Sequence, residues 1–101
     1  MNSQSGRFKK KILTELPYVR ELVSLANYAD EHIFVCGGIA WHETINHVDR
    51  YDIARNVLER APSLNEVRRY HSSCTLGHCI YVFFGVTSYE RESKSIEKLD
   101  V

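Results

Sequence analysis

The chain has 101 residues, a length that suits one small domain. Its 13 basic and 13 acidic residues balance, so the composition gives no strong field that would attract nucleic acid or an anionic membrane. The polar start of the chain does not resemble a signal peptide, and no segment approaches the roughly 20 apolar residues that cross a bilayer. We therefore expect neither a nucleic-acid nor a membrane partner.

Basic residues are concentrated only at residues 7–11, where four of five side chains are Lys or Arg. Such a run can form a nucleic-acid or lipid patch, and the alternative, which we favour, is a solvated segment. We expect residues 1–8 to form a disordered basic N-terminus.

Short apolar or alternating runs predict strands along most of the chain. In chain order these predicted strands cover residues 9–16, 21–27, 33–36, 46–51, 56–60, 70–76, 80–84 and 95–99. The runs 33–36 and 80–84 are continuously apolar and are followed or ended by glycine, which is typical of strands buried on both faces. Leucines and an alanine at loosely helical spacing leave a helix over 13–28 as an alternative.

The chain repeats itself with a nearly constant shift. The run 33–38 returns 47 positions later at 80–85, and the run 48–52 returns 48 positions later at 96–100. The length differences fall in predicted turns, where they cost little and do not shift a strand's register. Such a period indicates a repeat architecture.

Three cysteines, Cys36, Cys74 and Cys79, lie mostly in apolar, strand-like surroundings. Their odd number predicts reduced core thiols in a cytoplasmic protein rather than a disulfide framework. His71 and His78 lie near Cys74 and Cys79, but the spacing lacks the paired ligands of a zinc site. We expect no metal, no cofactor and no catalytic residue, because no nucleophile or phosphate-binding motif is present either.

The order of these motifs resembles the kelch repeat, whose unit forms one blade of a β-propeller. In that family an Arg precedes a strand, an apolar run ends in Gly-Gly, and a later strand carries Tyr-Asp. The structural motif positions here are Arg20, Gly37, Gly38, Tyr51 and Asp52 in one unit, and Arg68 and Gly85 in the next. Phe84 departs from the pattern by replacing a glycine, which we expect to require a negative φ.

The resemblance implies an all-β fold of kelch-type β-propeller blades, with about two four-stranded antiparallel units in an incomplete propeller. It divides the chain into the N-terminus (1–8), the last strand of a preceding blade (9–17), one repeat (18–65) and a second, incomplete repeat (66–101). Because a propeller closes with about four to eight blades, we expect either a fragment of a longer protein or a piece that must associate. We also expect a marginally stable monomer with exposed apolar faces.

Function is expected to lie in the loops, where aromatic and arginine side chains commonly anchor interfaces. The binding candidates are Trp41, His42, Glu43, Tyr89 and Arg91. For Trp41 the alternative is that its ring folds back over the blade edge. We expect Arg20 and Arg68 to donate to backbone carbonyls, with a catalytic or ligand-binding role as the alternative.

The resemblance implies a non-catalytic protein–protein interaction module that binds a partner protein through its blade loops. Self-association or contact with other propeller blades is the alternative for the partner. Two other classes stay open: a fragment of a larger kelch protein, such as a ubiquitin-ligase substrate adaptor or an actin-associated protein, without independent activity, and part of a propeller enzyme. An enzyme is the least favoured, because such sites draw ligands from several blades.

Overall fold

Antiparallel β-sheets make up the computed structural model, which describes residues 8–101. The predicted all-β class is confirmed. The predicted disordered segment 1–8 lies outside the described residues apart from Phe8. Among residues 8–101 no α-helix forms, so the helical alternative for 13–28 is wrong, and no helix there is long and apolar enough to cross a membrane.

Nine strands follow one another in the described part of the chain. They are β1 (Ser24–Tyr28), β2 (His32–Cys36), β3 (Ile39–Ala40), β4 (Glu43–Thr44), β5 (Val48–Asp52), β6 (Val57–Ala61), β7 (Ser72–Leu76), β8 (Cys79–Phe83) and β9 (Ile96–Asp100). The first sheet has the order β1-β2-β5-β6 and the second β7-β8-β9, while β3 and β4 form a small hairpin. All neighbours in these sheets are antiparallel.

Seven of the predicted strands correspond to β1, β2, β5, β6, β7, β8 and β9. The predicted strand over 9–16 is wrong, because residues 8–20 pair with no neighbouring strand. A run with strand-like residues becomes a strand only when a sheet edge accepts its backbone hydrogen bonds. This segment instead lies along the first sheet, where the Leu13 carbonyl accepts a bond of 2.9 Å from Asn56 Nδ2.

The sequence repeat has a direct counterpart in the structure. A shift of 48 positions relates the start of β1 to that of β7 and the start of β5 to that of β9. A shift of 47 positions relates the start of β2 to that of β8. The registers correspond as well: Phe34 lies between Ala26 and Arg50, and Tyr81 lies between Cys74 and Lys98. The one-residue differences therefore fall in turns, as predicted.

The core lies between the two sheets. One face of the first sheet, here called the first contact face, consists of Ala26, Phe34, Cys36 and Val48. It packs against the second contact face, formed by Ile80, Val82 and Leu99, with Leu64 from the connecting segment. Because side chains alternate along a strand, Ile33, Val35, Tyr81 and Phe83 point to the outer faces and are only half-buried. The prediction that 33–36 and 80–84 are buried on both faces is therefore wrong.

Strands β1 and β7 lie side by side at the edge of this core. Ser73 Oγ donates to the Leu25 carbonyl over 3.1 Å, and Thr75 Oγ1 donates to the Asn27 carbonyl over 2.6 Å. In both pairs the donor and acceptor are related by the repeat shift, so each hydroxyl bonds its counterpart in the preceding unit. The repeat spacing is thus also the spacing of the contact between the sheets.

Candidate functional site

The end of each sheet where its second strand stops is here called the rim. At each rim, a completely buried arginine side chain links the strands and the loops between them. In the first unit Arg20 donates to the carbonyls of Gly37 (3.0 Å), Val35 (3.1 Å) and His47 (2.6 Å), and it pairs with the Asp49 carboxylate. The carboxylate provides the countercharge that a buried guanidinium needs. Arg20 therefore joins the end of β2 to the start of β5.

Arg68 repeats this arrangement in the second unit. Its guanidinium donates to the carbonyls of Phe84 (3.0 Å) and Ser95 (2.9 Å) and to the Glu97 carboxylate (2.9 Å). These acceptors are the repeat counterparts of Gly37, His47 and Asp49. The prediction that both arginines donate to backbone carbonyls is confirmed, and their buried, occupied donors do not favour the ligand-binding alternative.

Glycine at the end of β2 is required by both conformation and space. Gly37 has a φ of 62°, and a Cβ there would lie 2.7 Å from the Arg68 carbonyl oxygen. The corresponding Phe84 has a φ of 54°, so the expectation that phenylalanine needs a negative φ is wrong. Its side chain is half exposed, which supplies the room that is missing at Gly37.

Tyr51 and Asp52 stabilise the turn between β5 and β6. The Tyr51 hydroxyl donates to Asn56 Oδ1 over 2.7 Å. Asp52 accepts bonds of 3.0 Å from both the backbone N–H and the Nε of Arg55, and these bonds hold the pKa of its carboxyl below the usual range. Both residues serve the scaffold.

The β3–β4 hairpin carries the first group of predicted binding residues. Ala40 pairs with Glu43, so Trp41 and His42 form a two-residue turn, with φ of 52° and 63°. The Trp41 ring packs on Tyr18 with a centroid distance of 4.3 Å, yet 58% of the residue is exposed. The Trp41 ring therefore folds back onto the protein in part, as the alternative predicts, while its role in binding stays a prediction.

The second unit has an equivalent turn. Thr87 N–H donates to the Arg91 carbonyl over 2.7 Å and Arg91 N–H donates to the Ser88 carbonyl over 3.3 Å, which closes a tight turn around Tyr89 and Glu90. Tyr89 and Glu90 each have a φ of 57°, and Tyr89 is 98% exposed. The repeat shift relates these two residues to Trp41 and His42. An aromatic residue in left-handed backbone is therefore present at the tip of both units.

A recess of about 470 Å³ separates the two tips. Its lining brings together His42, Glu43, Thr44, Arg69, Ser88, Tyr89 and Glu90. Arg69 extends along it, donating to Thr44 Oγ1 over 2.7 Å and lying 3.5 Å from Glu90 Oε1.

Three of the five predicted binding residues thus share one site. Trp41 borders a neighbouring recess with Tyr18, and Arg91 borders another with Glu66. Sequence reasoning missed Arg69, whose only signal was its place directly after the repeated Arg68.

The four His and Cys residues near β7 do not converge. His71 Nε2 donates to the Cys36 carbonyl over 2.7 Å, and His78 Nδ1 is hydrogen-bonded to the Tyr28 hydroxyl over 2.6 Å. Within the described range, no three His, Cys, Asp or Glu side chains are grouped as metal ligands.

The three thiols are free, but only Cys36 is a core thiol, so that prediction is wrong for the other two. Cys36 is buried, and burial raises its pKa to about 11. Cys74 is exposed because it lies on the outer face of the second sheet, and Cys79 is half-buried. A buried thiol with a raised pKa is a poor nucleophile.

Comparison with models of known protein families gives no match. Comparison with curated proteins gives no match either. The function proposed below therefore depends on the geometry of the chain itself.

Proposed function

We propose that this chain is a non-catalytic protein-interaction module of kelch β-propeller type that binds a partner protein through its rim loops. The observation that carries the proposal is the pair of equivalent turns, Trp41-His42 and Tyr89-Glu90, which hold exposed aromatic residues in left-handed backbone. Exposed aromatic side chains on a rigid scaffold are typical anchors of protein interfaces.

The left-handed backbone of these turns has a cost in stability. A left-handed non-glycine residue costs about 1–2 kcal/mol, and two-residue hairpin turns of this kind strongly favour Asn-Gly. Trp-His at this position therefore lowers stability. Ala29 and Asp30 are left-handed too, so the exposed aromatic rings rather than the backbone distinguish the two tips. The buried ion pairs of Arg20 with Asp49 and of Arg68 with Glu97 are here called the arginine clamps. They stabilise the strand ends from which the turns extend and offset that cost.

The repeated architecture supports the propeller assignment. Both units combine a buried arginine, a left-handed residue at the end of the second strand and consecutive antiparallel strands, and they stack face to face with β1 beside β7. Radial stacking of such sheets is the plan of a propeller. The free thiols fit the cytoplasmic location that we propose for the module.

The partner should place an apolar or aromatic side chain against the exposed rings and polar groups in the recess beside Arg69. That recess contains both signs of charge, from Arg69, Glu43 and Glu90. A mixed polar lining around aromatic anchors is suited to a peptide or loop of a protein. It gives little reason to expect a strongly charged polymer.

The test replaces the strained turn with its preferred residues in the double variant Trp41→Asn/His42→Gly. We expect higher thermal stability together with loss of the partners that affinity capture recovers with the wild-type chain. Each lost partner is then purified and titrated against both proteins. Binding should weaken by at least tenfold, because the Trp41 ring is removed while the scaffold is retained.

The matched control is Ala29→Asn/Asp30→Gly in the turn between β1 and β2. Ala29 and Asp30 are also left-handed, with φ of 53° and 56°, but this turn lies at the opposite end of the sheet. The control should gain stability and keep full binding. Unchanged binding in the Trp41/His42 variant would contradict the proposed function.

A further inference from the structure

The outer face of the second sheet is open and carries a cluster of apolar side chains. This cluster, here called the downstream face, consists of Cys74, Leu76, Tyr81, Phe83 and Ile96, and the polar residues Ser72, Cys79, Lys98 and Asp100 lie on the same side of the sheet. Leu76 is 70% exposed and Ile96 is 51% exposed. Within residues 8–101 no strand pairs or packs over it. An apolar sheet face of this kind is typical of an interaction surface.

The repeat shows what kind of surface covers such a face. Shifted back by one repeat, Tyr81, Phe83 and Ile96 correspond to Phe34, Cys36 and Val48. Those three residues form the first contact face, and each is at most 2% exposed because the second contact face lies on it. The downstream face therefore corresponds to a surface that this molecule already covers with its own second sheet.

The chain also carries a counterpart of the covering surface. Ile33, Val35 and Tyr51 on the outer face of the first sheet correspond to Ile80, Val82 and Leu99 of the second contact face. We call this the upstream face, and it includes Leu25 at the edge. It borders an open apolar recess of about 490 Å³.

Leu16 completes this correspondence. It also lines the recess on the upstream face, and the repeat shift relates it to Leu64. Leu64 is a buried member of the core between the two sheets. The upstream face thus reproduces both the strand residues and the connecting-segment leucine of the covering surface.

We propose that copies of this chain bind one another head to tail, with the downstream face of one copy on the upstream face of the next. A contact between two different surfaces of the same chain is heterologous and can continue from copy to copy. The balanced formal charge opposes no such approach. This proposal is independent of rim binding, which uses other residues.

The contact between copies is weaker than the one within the chain. Inside the molecule Ser73 and His71 donate across the sheet contact, to the carbonyls of Leu25 and Cys36. Their counterparts in the upstream unit are Leu25 and Val23, which have no side-chain donor. Thr75, which donates to the Asn27 carbonyl, is the exception, because its counterpart Asn27 can donate through its amide. Assembly should therefore be reversible and depend on protein concentration.

Two charge substitutions on opposite faces test the proposal by sedimentation velocity. Leu25→Arg blocks the upstream face and Ile96→Arg blocks the downstream face, and both residues are more than half exposed, so the fold tolerates the change. We expect the wild-type chain to associate and each variant alone to be monomeric. Mixed in equal amounts, the variants should form a dimer and nothing larger, because one compatible pair of faces remains.

Val19→Arg is the control, since Val19 is exposed on the rim and belongs to neither face. It should associate like the wild-type chain. Wild-type protein that stays monomeric as its concentration is raised would overturn the proposal. So would variants that associate singly, or a mixture that forms no dimer.

Alkylation of Cys74 gives a second measurement. Its counterpart Ala26 is buried by the contact between the sheets, so Cys74 should become protected when copies assemble. The alkylation rate of Cys74 should fall several-fold as wild-type concentration rises and stay constant in Ile96→Arg. Equal rates in both proteins at high concentration would contradict the proposed contact.

Discussion

The two sheets follow one structural plan but differ in what lies over the end of their second strand. In the first sheet Gly37 lies beneath Arg68 and His71, and an added Cβ would come within 3.0 Å of both. In the second sheet Phe84 has nearly the same φ, but its side chain is half exposed. The comparison separates two requirements for glycine: both positions need a left-handed backbone, and only the covered one also needs the missing side chain.

The arginine clamps show the opposite behaviour, because they are the same in both sheets. Arg20 and Arg68 are fully buried and bond corresponding carbonyls and a corresponding carboxylate. The carboxylates belong to Asp49 and Glu97. The charge and position of the acceptor are therefore the same in both sheets, although the residue type differs. The clamp is therefore the feature that defines a unit, and the terminal glycine depends on the neighbour.

Removal of a clamp should have the largest effect. We expect Arg68→Met to lower the free energy of unfolding by about 3–5 kcal/mol, because Glu97 and two carbonyls lose a buried partner. Arg20→Met should also destabilise strongly but cost somewhat less, because Arg60 Nε still pairs with the Asp49 carboxylate over 3.2 Å. Urea unfolding measures both values.

The control is Arg55→Ala, which removes an exposed ion pair with Asp52 and should leave the unfolding midpoint nearly unchanged. If Arg20→Met changed the midpoint as little as Arg55→Ala does, the two clamps would not be equivalent. A buried arginine clamp would then not be a shared stabilising feature of the two sheets.

Substitution at the ends of the second strands should have opposite signs in the two sheets. Gly37→Ala should destabilise by about 1–3 kcal/mol, because the new Cβ meets the Arg68 carbonyl and the backbone is left-handed. Phe84→Gly should stabilise by up to about 1 kcal/mol by relieving the left-handed strain at an open position. Thermal unfolding of the two variants measures both signs, and a loss of stability in Phe84→Gly would contradict this account of Phe84.

A smaller effect is expected on the pH dependence of stability. His71 is a titratable residue that contacts the first sheet, whereas its counterpart in the first unit, Val23, does not titrate. Burial lowers the pKa of His71, partly opposed by its bond to the Cys36 carbonyl, while Arg68 and Arg20 lower it further. The folded chain therefore binds fewer protons than the unfolded chain below the ordinary histidine pKa of about 6.5. The free energy of unfolding should fall as pH drops from 7 toward 5.

His71→Gln tests this assignment, since glutamine can donate to the Cys36 carbonyl but does not titrate. Urea midpoints measured from pH 7 to pH 5 should vary less in the variant. Some slope should remain, because burial also lowers the pKa of His47. An identical slope in both proteins would show that His71 does not contribute.

Sequence patterns predicted the elements whose signals are local or repeated. The strands around the apolar runs, the spacing of the two units and the arginine bonds all followed from residues that recur at fixed separations. Segment 9–16 has strand-like residues but pairs with none of the edge strands, and no local pattern shows whether an edge strand will accept a segment. The β3–β4 hairpin is too short to produce a periodic signal.

The site was only partly predictable for a related reason. Loop position and residue type indicated Trp41, His42 and Tyr89, but they could not show that Arg69 crosses to Thr44 between the two tips. The exposure of Cys74 and the left-handed φ of Phe84 depend on whether another sheet lies over the second one. That is a property of packing between units rather than of either unit's sequence.

The most direct test of the central claim, two equivalent sheets stacked through one face each, is an NMR measurement on dilute protein. Phe34 and Tyr81 occupy corresponding positions, but only Phe34 faces the other sheet. The account predicts NOEs from the Phe34 ring to the methyl groups of Ile80 or Val82, and none from the Tyr81 ring to methyl groups of the first sheet. Missing NOEs from Phe34, or NOEs from Tyr81 to the first sheet, would contradict it.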